Sequence, residues 1–346
     1  MFSSILLLLL FAYLVTLVLY KKGLEIGKPD QHIYIVTWLL VILVVLFRPS
    51  NMPDYSNYVD AFLYGEERME FATSALVSIA SFFSDSHLVV MFFYDLLAVT
   101  ITMFAIKKNS HFIWGAILVW MSYMLIIQDM IQIRQAVSSA IFLMSIPCIY
   151  QKNLKRYLLL NFIGVFFHYS AIAVFPLYFI SSKKRYKWFY LLLIPISYLT
   201  YFMGMQVAFI IEYINIDFIN ALWLSKSTSL KTTEDVNLFN SRQIIQIIIC
   251  YSFWFNIDKI ESMIPQALLY LKIYTIGIAV FILFFDVPDI ASRINVLYMV
   301  IEILLIPMLI LIPSKRILGF CLFLFVILTF FATYYFRFVF TNAIIE

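Results

Sequence analysis

The chain has 346 residues, of which 64% are hydrophobic and only 13% are charged, with a formal net charge of +4. Soluble domains are nearer ~45–50% apolar and about 25% charged, so the composition excludes an ordinary soluble domain. Apolar runs recur along the chain and are long enough to span a bilayer as helices. The basic residues lie in short loops between these runs, so the net charge does not indicate a nucleic-acid partner.

We therefore predict an all-α polytopic membrane protein that forms a single integral-membrane domain over residues 1–346. About twelve membrane segments are expected, two of them in a helical hairpin at 157–181. The others are predicted near 3–20, 32–47, 87–106, 112–128, 131–150, 188–210, 243–257, 266–285, 294–312 and 317–336.

Two polar stretches, 48–86 and 211–242, are predicted to be loops on the outer face. The apolar part of the first, at 71–83, is too short to cross a bilayer and fits a re-entrant or interfacial helix. The second is rich in Ser, Thr and Lys and has the composition of a flexible loop.

The hairpin at 157–181 is inferred from charge. Basic residues flank this apolar run on both sides, at Lys152–Arg156 and at Lys183–Lys187. A single crossing would place one of the two clusters on the outer side, against the positive-inside rule. A reversal near Phe166–Ala171 keeps both inside and places His168 in a cavity open to the outer face, because irregular backbone at membrane depth must line a cavity or be buried in protein.

The same rule orients the chain with both termini on the outer side. Six of the nine arginines then lie outside, but only two of the fifteen lysines. Arginine offers phosphate a planar fork of donors, whereas lysine is a hydrated point charge. The outer face is therefore predicted to bind an anion, through the four arginines at span ends, Arg48, Arg134, Arg242 and Arg293.

Arg134 stands out because an arginine kept at the hydrocarbon edge is a functional hypothesis by default. Gln135 is its neighbour, and Ser138 follows one turn later in Asp129–Phe142. The alternative is an arginine that anchors a helix end by extending its head group to water. For His168, the alternative to a catalytic role is a buried histidine that bonds across the hairpin.

Four elements follow one another in an order that resembles the EpsG/Wzy-type family of bacterial polysaccharide polymerases, which includes O-antigen polymerases. They are Asp54-Tyr55-Ser-Asn-Tyr58, Glu70 at the start of a short amphipathic helix, Ile133-Arg134-Gln135-Ala136, and Phe167-His168-Tyr-Ser170-Ala171. The resemblance is strongest over about 35–180. It implies a GT-C-like multispan fold and points to Asp54, Tyr58, Glu70, Arg134, Gln135, His168 and Arg293 as site residues.

The resemblance also implies an enzyme of the bacterial inner membrane. Such an enzyme joins oligosaccharide repeat units, carried on undecaprenyl pyrophosphate, at the periplasmic face. The implied partners are this lipid-linked oligosaccharide, membrane lipid and a chain-length regulator protein. No cofactor is expected.

The chemistry of this transfer assigns roles to the candidates. The leaving pyrophosphate needs positive charge, which Arg134 and Arg293 would supply together with Arg48. The acceptor hydroxyl needs a base; His168 is the first candidate, and Asp54 and Glu70 are its rivals. Tyr55 and Tyr58 are candidates for stacking on sugar faces, although aromatic belts at the membrane edge are common.

Two other functions remain open at this stage. Asp95 and Glu302 lie well inside predicted spans, and acids in that position mark ion paths in transporters, so a transporter of lipid-linked oligosaccharide or of an anionic solute is one alternative. A polysaccharide acyltransferase, which would also use a histidine and arginines, is the other. No Asp-x-Asp or His-x-x-x-His pair is found in the outer loops, so a metal-independent reaction is expected.

Overall fold

The computed structural model describes residues 2–20, 29–64, 70–84, 86–183, 186–205 and 237–340. Within these ranges the chain is helical and has no strand, which confirms the all-α class. The helices are α1 Phe2–Tyr20, α2 Gln31–Leu46, α3 Tyr55–Tyr64, α4 Phe71–Ser81, α5 His87–Asn109, α6 Ile113–Val119, α7 Ile133–Tyr150, α8 Leu154–Phe167, α9 Lys187–Phe202, α10 Ser241–Met263, α11 Ala267–Leu283, α12 Pro288–Met299, α13 Glu302–Leu305 and α14 Arg316–Tyr334.

Several α-helices continue as helices of another pitch. A π-helix, Trp120–Ile131, extends α6, and a second one, Tyr335–Phe340, extends α14. A 3-10 helix, Tyr169–Phe179, follows α8, and another, Ile306–Leu311, follows α13.

Among the described residues, five helical stretches are long and apolar enough to cross a membrane, whereas the sequence predicts about twelve segments. They are His87–Asn109, Ile113–Ile131, Ile133–Tyr150, Pro288–Leu311 and Arg316–Phe340. The shortfall has a physical reason. Other apolar helices are short, such as Gln31–Leu46 with 16 residues, and a helix of that length covers only about 24 Å of a ~30 Å hydrocarbon core.

The predicted outer loop at 48–86 contains two helices. A helix, α4, forms where a re-entrant or interfacial helix is expected, near 71–83. The helix α3 is not foreseen by the loop prediction. It forms because Tyr55, Tyr58 and Phe62 recur at helical spacing and face one apolar cluster with α4, α5 and α7. Most of the second predicted loop, 211–242, lies outside the described residues.

The chain divides into two compact units, one comprising Met1–Tyr178 with Glu302–Glu346 and the other Phe179–Ile301. In the first, α7 packs against both α5 and α8. Polar side chains lock these contacts: Asn109 donates to the Leu143 carbonyl at 2.8 Å, and Ser138 donates to the Gly164 carbonyl at 2.8 Å. Such interhelical bonds are a usual means of joining helices where the surroundings are apolar.

In the second unit, α11 is the central helix and packs against α9, α10 and α12. Trp254 donates to the Thr275 hydroxyl at 2.9 Å, and Asn295 donates to the Gly277 carbonyl at 3.2 Å. The ammonium of Lys272 is satisfied by backbone, because it donates to the Ser181 carbonyl at 2.7 Å and also to that of Lys183.

The chain reverses direction after α8. The helix ends at Phe167, His168 is extended (φ −158°, ψ 124°), and the 3-10 helix returns alongside α8. Tyr157 near the start of α8 donates to the Val174 carbonyl at 2.6 Å, and its ring lies 5.4 Å from that of Tyr178. His168 therefore lies at the tip of the reversal.

A buried ion pair joins three elements of the first unit. Arg48, just after α2, pairs with Asp95 of α5, and their side chains are only 3% and 1% exposed. The remaining donors of Arg48 are also used: Nε donates to the Val45 carbonyl at 3.1 Å and Nη1 to the Asp129 carbonyl of the π-helix at 3.0 Å. Trp120 donates to the Asp129 carboxylate at 3.0 Å and extends the network.

Removing one partner of this pair should destabilise the protein strongly. Asp95→Ala leaves the Arg48 guanidinium buried without its counter-charge, a change that in general costs about 3–5 kcal/mol. We expect the melting temperature in detergent to fall by several degrees, and the double variant Arg48→Met/Asp95→Leu to recover most of the loss. Asp60→Ala, at an exposed acid of α3, is the control; an Asp95→Ala protein as stable as this control would contradict the assignment.

Candidate functional site

A second ion pair, between Glu70 and Arg134, forms the centre of the candidate site. Arg134 lies in the first turn of α7, and its Nη1 is 2.6 Å from Glu70 Oε2. Glu70 is the residue before α4, yet its side chain makes no capping bond to that helix. The carboxylate instead offsets the positive charge of Arg134, which would otherwise be unfavourable at a helix N-terminus.

The two members of the pair differ in exposure. The Glu70 side chain is 7% exposed, whereas that of Arg134 is 24% exposed. Its Nε is buried and has no hydrogen-bond partner among the residues that the structure describes. Arginine has five N–H donors, so the contacts of Arg134 with Glu70 and with the Tyr58 hydroxyl leave a donor of the partly exposed guanidinium for a further acceptor.

Aromatic rings pack against Arg134. The ring of Tyr58 lies 5.4 Å from the guanidinium carbon, within cation–π range. Burial raises the pKa of Tyr58 to about 12, so its side chain stays a neutral phenol. Phe62 stacks on Tyr58 and on Tyr94, with ring centroids 6.1 and 6.3 Å apart, and Tyr94 shares a 2.6 Å hydrogen bond with Thr73. We call Tyr58, Phe62 and Tyr94 the aromatic layer.

His168 lies at the same end of the helices as Arg134. The antiparallel helices α7 and α8 are in register where Ser138 bonds to Gly164. Arg134 is one turn before Ser138, and His168 is one turn after Gly164, so both lie about one turn beyond this contact in the same direction. Phe167 confirms the neighbourhood, because its ring packs edge-on against Tyr94 of the aromatic layer at 6.3 Å.

The bonds of Ser170 fix which nitrogen of His168 carries a proton in the neutral ring. The backbone N–H of Ser170 donates to His168 Nδ1 at 3.2 Å, and the Ser170 hydroxyl lies 2.7 Å from the same atom. Because a backbone N–H is always a donor, Nδ1 must accept. The neutral imidazole therefore carries its proton on Nε2.

The other candidates of this unit lie at the start of α3 or next to Arg134 in α7. Asp54 is exposed and left-handed (φ 65°), a conformation that Asp tolerates. Its carbonyl accepts from the Tyr58 N–H at 3.0 Å as α3 begins. The Tyr55 hydroxyl lies 3.4 Å from His87 Nε2. Gln135 is buried beside Arg134.

Three of the predicted substrate-binding arginines are placed differently from Arg134. The donors of Arg48 bind Asp95 and backbone carbonyls, so the observed contacts of Arg48 are structural. Arg242 and Arg293 belong to the second unit. Arg293 is 44% exposed and pairs with Asp289 at 3.0 Å, one turn earlier in α12. A common anion site for these arginines and Arg134 remains a prediction.

Sequence reasoning missed the partners that build the site. It placed Glu70 and Arg134 among the candidates but did not pair them, because 64 residues separate them. It also passed over Phe62 and Tyr94. The sequence gives only weak indications of these two residues. Tyr94 precedes Asp95 inside an apolar span. Phe62 follows Tyr58 by four residues, a spacing that places both side chains on one helix face.

The described ranges contain no group of three His, Cys, Asp or Glu residues that could hold a metal ion. The groups at the site that could bind a cation are the Glu70 carboxylate, already paired with Arg134, the exposed Asp54 carboxylate, and the His168 imidazole, whose Nδ1 accepts from Ser170. The partly exposed guanidinium of Arg134 favours an anionic ligand.

Comparison with known proteins gives one result for the whole chain. The model of the EpsG family matches residues 31–345, a range that contains every candidate residue above. Searches of curated proteins and of solved structures find no match.

The register of α7 and α8 can be tested with cysteines. A Cβ built on Gly164 would lie 3.9 Å from the Ser138 Cα, within reach of disulfide geometry. In a background with Cys148, Cys250 and Cys321 replaced by Ala, Ser138→Cys/Gly164→Cys should form a crosslink under mild oxidation, detected by mass spectrometry. Ser139→Cys/Gly164→Cys, turned by about 100° around α7, should not. A crosslink in the Ser139 variant but not in the Ser138 variant would contradict the register, and with it the conclusion that Arg134 and His168 lie at the same end of α7 and α8.

Proposed function

Because the chain belongs to the EpsG family, we propose that it is a polysaccharide polymerase of the bacterial inner membrane. It joins oligosaccharide repeat units that are carried on undecaprenyl pyrophosphate, at the periplasmic face. The growing chain moves to a sugar hydroxyl of the incoming unit, and undecaprenyl pyrophosphate is released. The Glu70–Arg134 pair, with accessible donors on Arg134 above an aromatic layer, is the observation that carries the proposal.

The bond changes define what the site must supply. The bond between the anomeric carbon and the pyrophosphate oxygen breaks, and the acceptor oxygen forms a new bond to that carbon. The hydroxyl proton goes to a base, and the pyrophosphate leaves with an extra negative charge. A preorganised guanidinium stabilises such charge without reorganising, because its donors already point at the place where charge develops.

Arg134 is held for this task from two sides. Glu70 fixes one edge of the guanidinium, and the Tyr58 ring supports its face. Fixing the fork in this way reduces the side-chain entropy that is lost when a phosphate binds. Lysine at this position would keep the charge but would lose the bidentate geometry.

His168 remains a candidate catalytic residue, and its tautomer narrows its role. With Nδ1 accepting from Ser170, the neutral ring carries its proton on Nε2. To act as a base at Nε2, His168 would need the opposite tautomer and would lose the Ser170 bond. Glu70 is engaged with Arg134, so the exposed carboxylate of Asp54 is the rival base.

One of the two acids that favoured a transporter now has a structural explanation. Asp95 is paired with Arg48 inside the first unit, which accounts for an acid within a span without an ion path. Glu302 is fully buried and is the remaining candidate for such a role. The acyltransferase alternative rests on no contact in the structure beyond those that serve the polymerase.

A ladder assay tests the proposal. Purified protein receives its host's undecaprenyl-pyrophosphate-linked repeat unit, and the products are separated by length. Arg134→Ala should lower the rate by about 100-fold or more, as the loss of a preorganised donor does elsewhere, and Arg134→Lys should retain part of it. Arg156→Ala, at an exposed arginine at the other end of α8, is the matched control and should make full ladders.

The melting temperatures of Arg134→Ala and Arg134→Lys separate a chemical effect from misfolding. Arg134→Lys keeps a cation beside Glu70, so it should melt near the temperature of wild type. In the same assay His168→Ala and Asp54→Asn rank the two bases: a loss of about 100-fold or more marks the base. Full ladders from Arg134→Ala would refute the role of Arg134. No ladder from well-folded wild type would refute the polymerase and lead to transport assays with Glu302→Gln.

The reaction should proceed without a divalent metal. Ladders made after treatment with EDTA and desalting should match those of untreated protein, because Arg134 supplies the charge that a metal would otherwise provide. The measurement is the initial rate with and without added Mg²⁺ or Mn²⁺. A rate abolished by EDTA and restored by one of these ions would contradict this prediction.

A further inference from the structure

A cavity of about 270 Å³ lies beside the aromatic layer and has no role in the mechanism above. It opens where α4 ends and α5 begins. Its volume is slightly below the ~300–1,000 Å³ of pockets that hold drug-sized ligands, so it suits a single ring of six or so heavy atoms with its substituents. Its lining is divided into a polar rim and an apolar floor.

The polar rim consists of Ser81, Ser84, Ser86 and His87. The Ser86 hydroxyl accepts from the Leu88 N–H at 3.3 Å as the N-cap of α5, and the Ser84 hydroxyl accepts from the Ser86 N–H at 3.2 Å. Each of these hydroxyls keeps its own proton to donate. Ser81 instead donates to the Ser78 carbonyl at 2.8 Å, so its oxygen can still accept.

The rim therefore offers both donors and an acceptor within one small opening. A phosphate or a carboxylate would need donors only, and the described residues that line the cavity include no arginine or lysine. A molecule with several hydroxyl groups uses donors and acceptors together, because each hydroxyl is itself both. The rim chemistry fits a neutral polyol better than an anion.

The floor is apolar and includes one aromatic ring. Phe62 lines the cavity and is also the middle ring of the aromatic layer, between Tyr58 and Tyr94. Val77 and Val90 also line the cavity. A pyranose has a face of C–H groups between its equatorial hydroxyls, and such a face packs well on an apolar floor while the hydroxyls reach a polar rim.

Phe62 also connects the cavity to the candidate site. It stacks on Tyr58, and Tyr58 supports the Arg134 guanidinium. Two ring contacts thus separate the cavity from the group that would hold pyrophosphate. Phe62 and Tyr58 therefore connect the cavity to the Arg134 guanidinium through packed rings.

We propose that this cavity is a saccharide subsite that binds one neutral sugar ring of the lipid-linked repeat unit. Ser84 and Ser86 donate to sugar hydroxyls, Ser81 accepts, and Phe62 supports the ring face. The proposal rests on the proposed polymerase function for its ligand. The bound ring belongs either to the incoming unit or to the growing chain, and the two are distinguished below.

A binding experiment tests the subsite without requiring catalysis. The probe is the repeat-unit oligosaccharide released from the host's lipid-linked pool and coupled to a photoreactive diazirine. In nanodiscs, wild type should crosslink within residues 77–90, mapped by mass spectrometry. Ser81→Leu fills the rim and should reduce the crosslink at least about five-fold. Ser78→Leu places the same side chain at an exposed serine of α4 outside the cavity and should leave it unchanged.

A kinetic experiment identifies which sugar is bound. The ladder assay is run with labelled lipid-linked chains as donor and single lipid-linked units as acceptor, each varied in turn. Ser84→Ala should raise one KM about five-fold, the loss expected for one hydrogen bond, with little change in kcat. A rise for the single unit assigns the cavity to the incoming unit, and a rise for the chain assigns it to the growing polymer.

The outcomes separate the two proposals. A crosslink that Ser81→Leu abolishes, with no ladder from any protein, supports the saccharide subsite and overturns the polymerase. Ladders with unchanged KM values in Ser84→Ala and Ser81→Leu, and equal crosslinking in Ser81→Leu and Ser78→Leu, overturn the subsite and leave the polymerase standing. Melting temperatures of the serine variants near that of wild type ensure that neither result reflects unfolding.

Discussion

The first unit is organised by the requirement that a guanidinium removed from water must find a counter-charge. An unpaired buried ion costs several kcal/mol, whereas a paired and fully hydrogen-bonded one is tolerated. Two arginines meet this requirement in different ways. Arg48 uses its donors within the protein and is 3% exposed, while Arg134 pairs with Glu70 and stays 24% exposed. The first arrangement joins elements of the fold, and the second leaves donors for a ligand.

These pairs also explain why the site does not depend on a single helix. Asp95 is on α5, Arg48 follows α2, and the Asp129 carbonyl belongs to the π-helix. Wide π-turns are unusual and often occur at functional sites; here the π-helix supplies a carbonyl to a buried cation. The α5 helix, held at Asp95, also carries Tyr94 of the aromatic layer and begins at the cavity rim. The same helix therefore connects the structural pair to both parts of the site.

The sequence predicted features that depend on local pattern. The all-helical class follows from composition, and the short helix α4 from its length. The family was recognised from four short motifs, and the EpsG match over 31–345 confirms it. Features that depend on distant pairing were not predicted. Arg48 was grouped with the ligand arginines because hydropathy cannot reveal that Asp95, 47 residues later, accepts its charge.

The count of twelve segments failed for a related reason. Hydropathy marks apolar runs, but a run becomes a full crossing only if it forms one helix of about 20 residues. The hairpin at 157–181 was counted as two of the twelve segments, and it consists of a 14-residue helix and an 11-residue 3-10 helix on either side of His168. Short apolar helices such as these need neighbours to cover their ends, because unsatisfied backbone groups cannot face lipid.

The break at His168 has a consequence for chemistry. A lipid-linked pyrophosphate stays at the depth where the hydrocarbon ends, because its polyprenyl chain is confined to the bilayer while its charge is excluded from it. A protein that binds it must present cations and hydrogen-bonding groups at that same depth. In the first unit α7 begins next to Arg134 and α8 ends next to His168, each about one turn beyond the Ser138–Gly164 contact. The two antiparallel helices therefore bring a cation and an imidazole to one level, as the proposed reaction requires of its binding site.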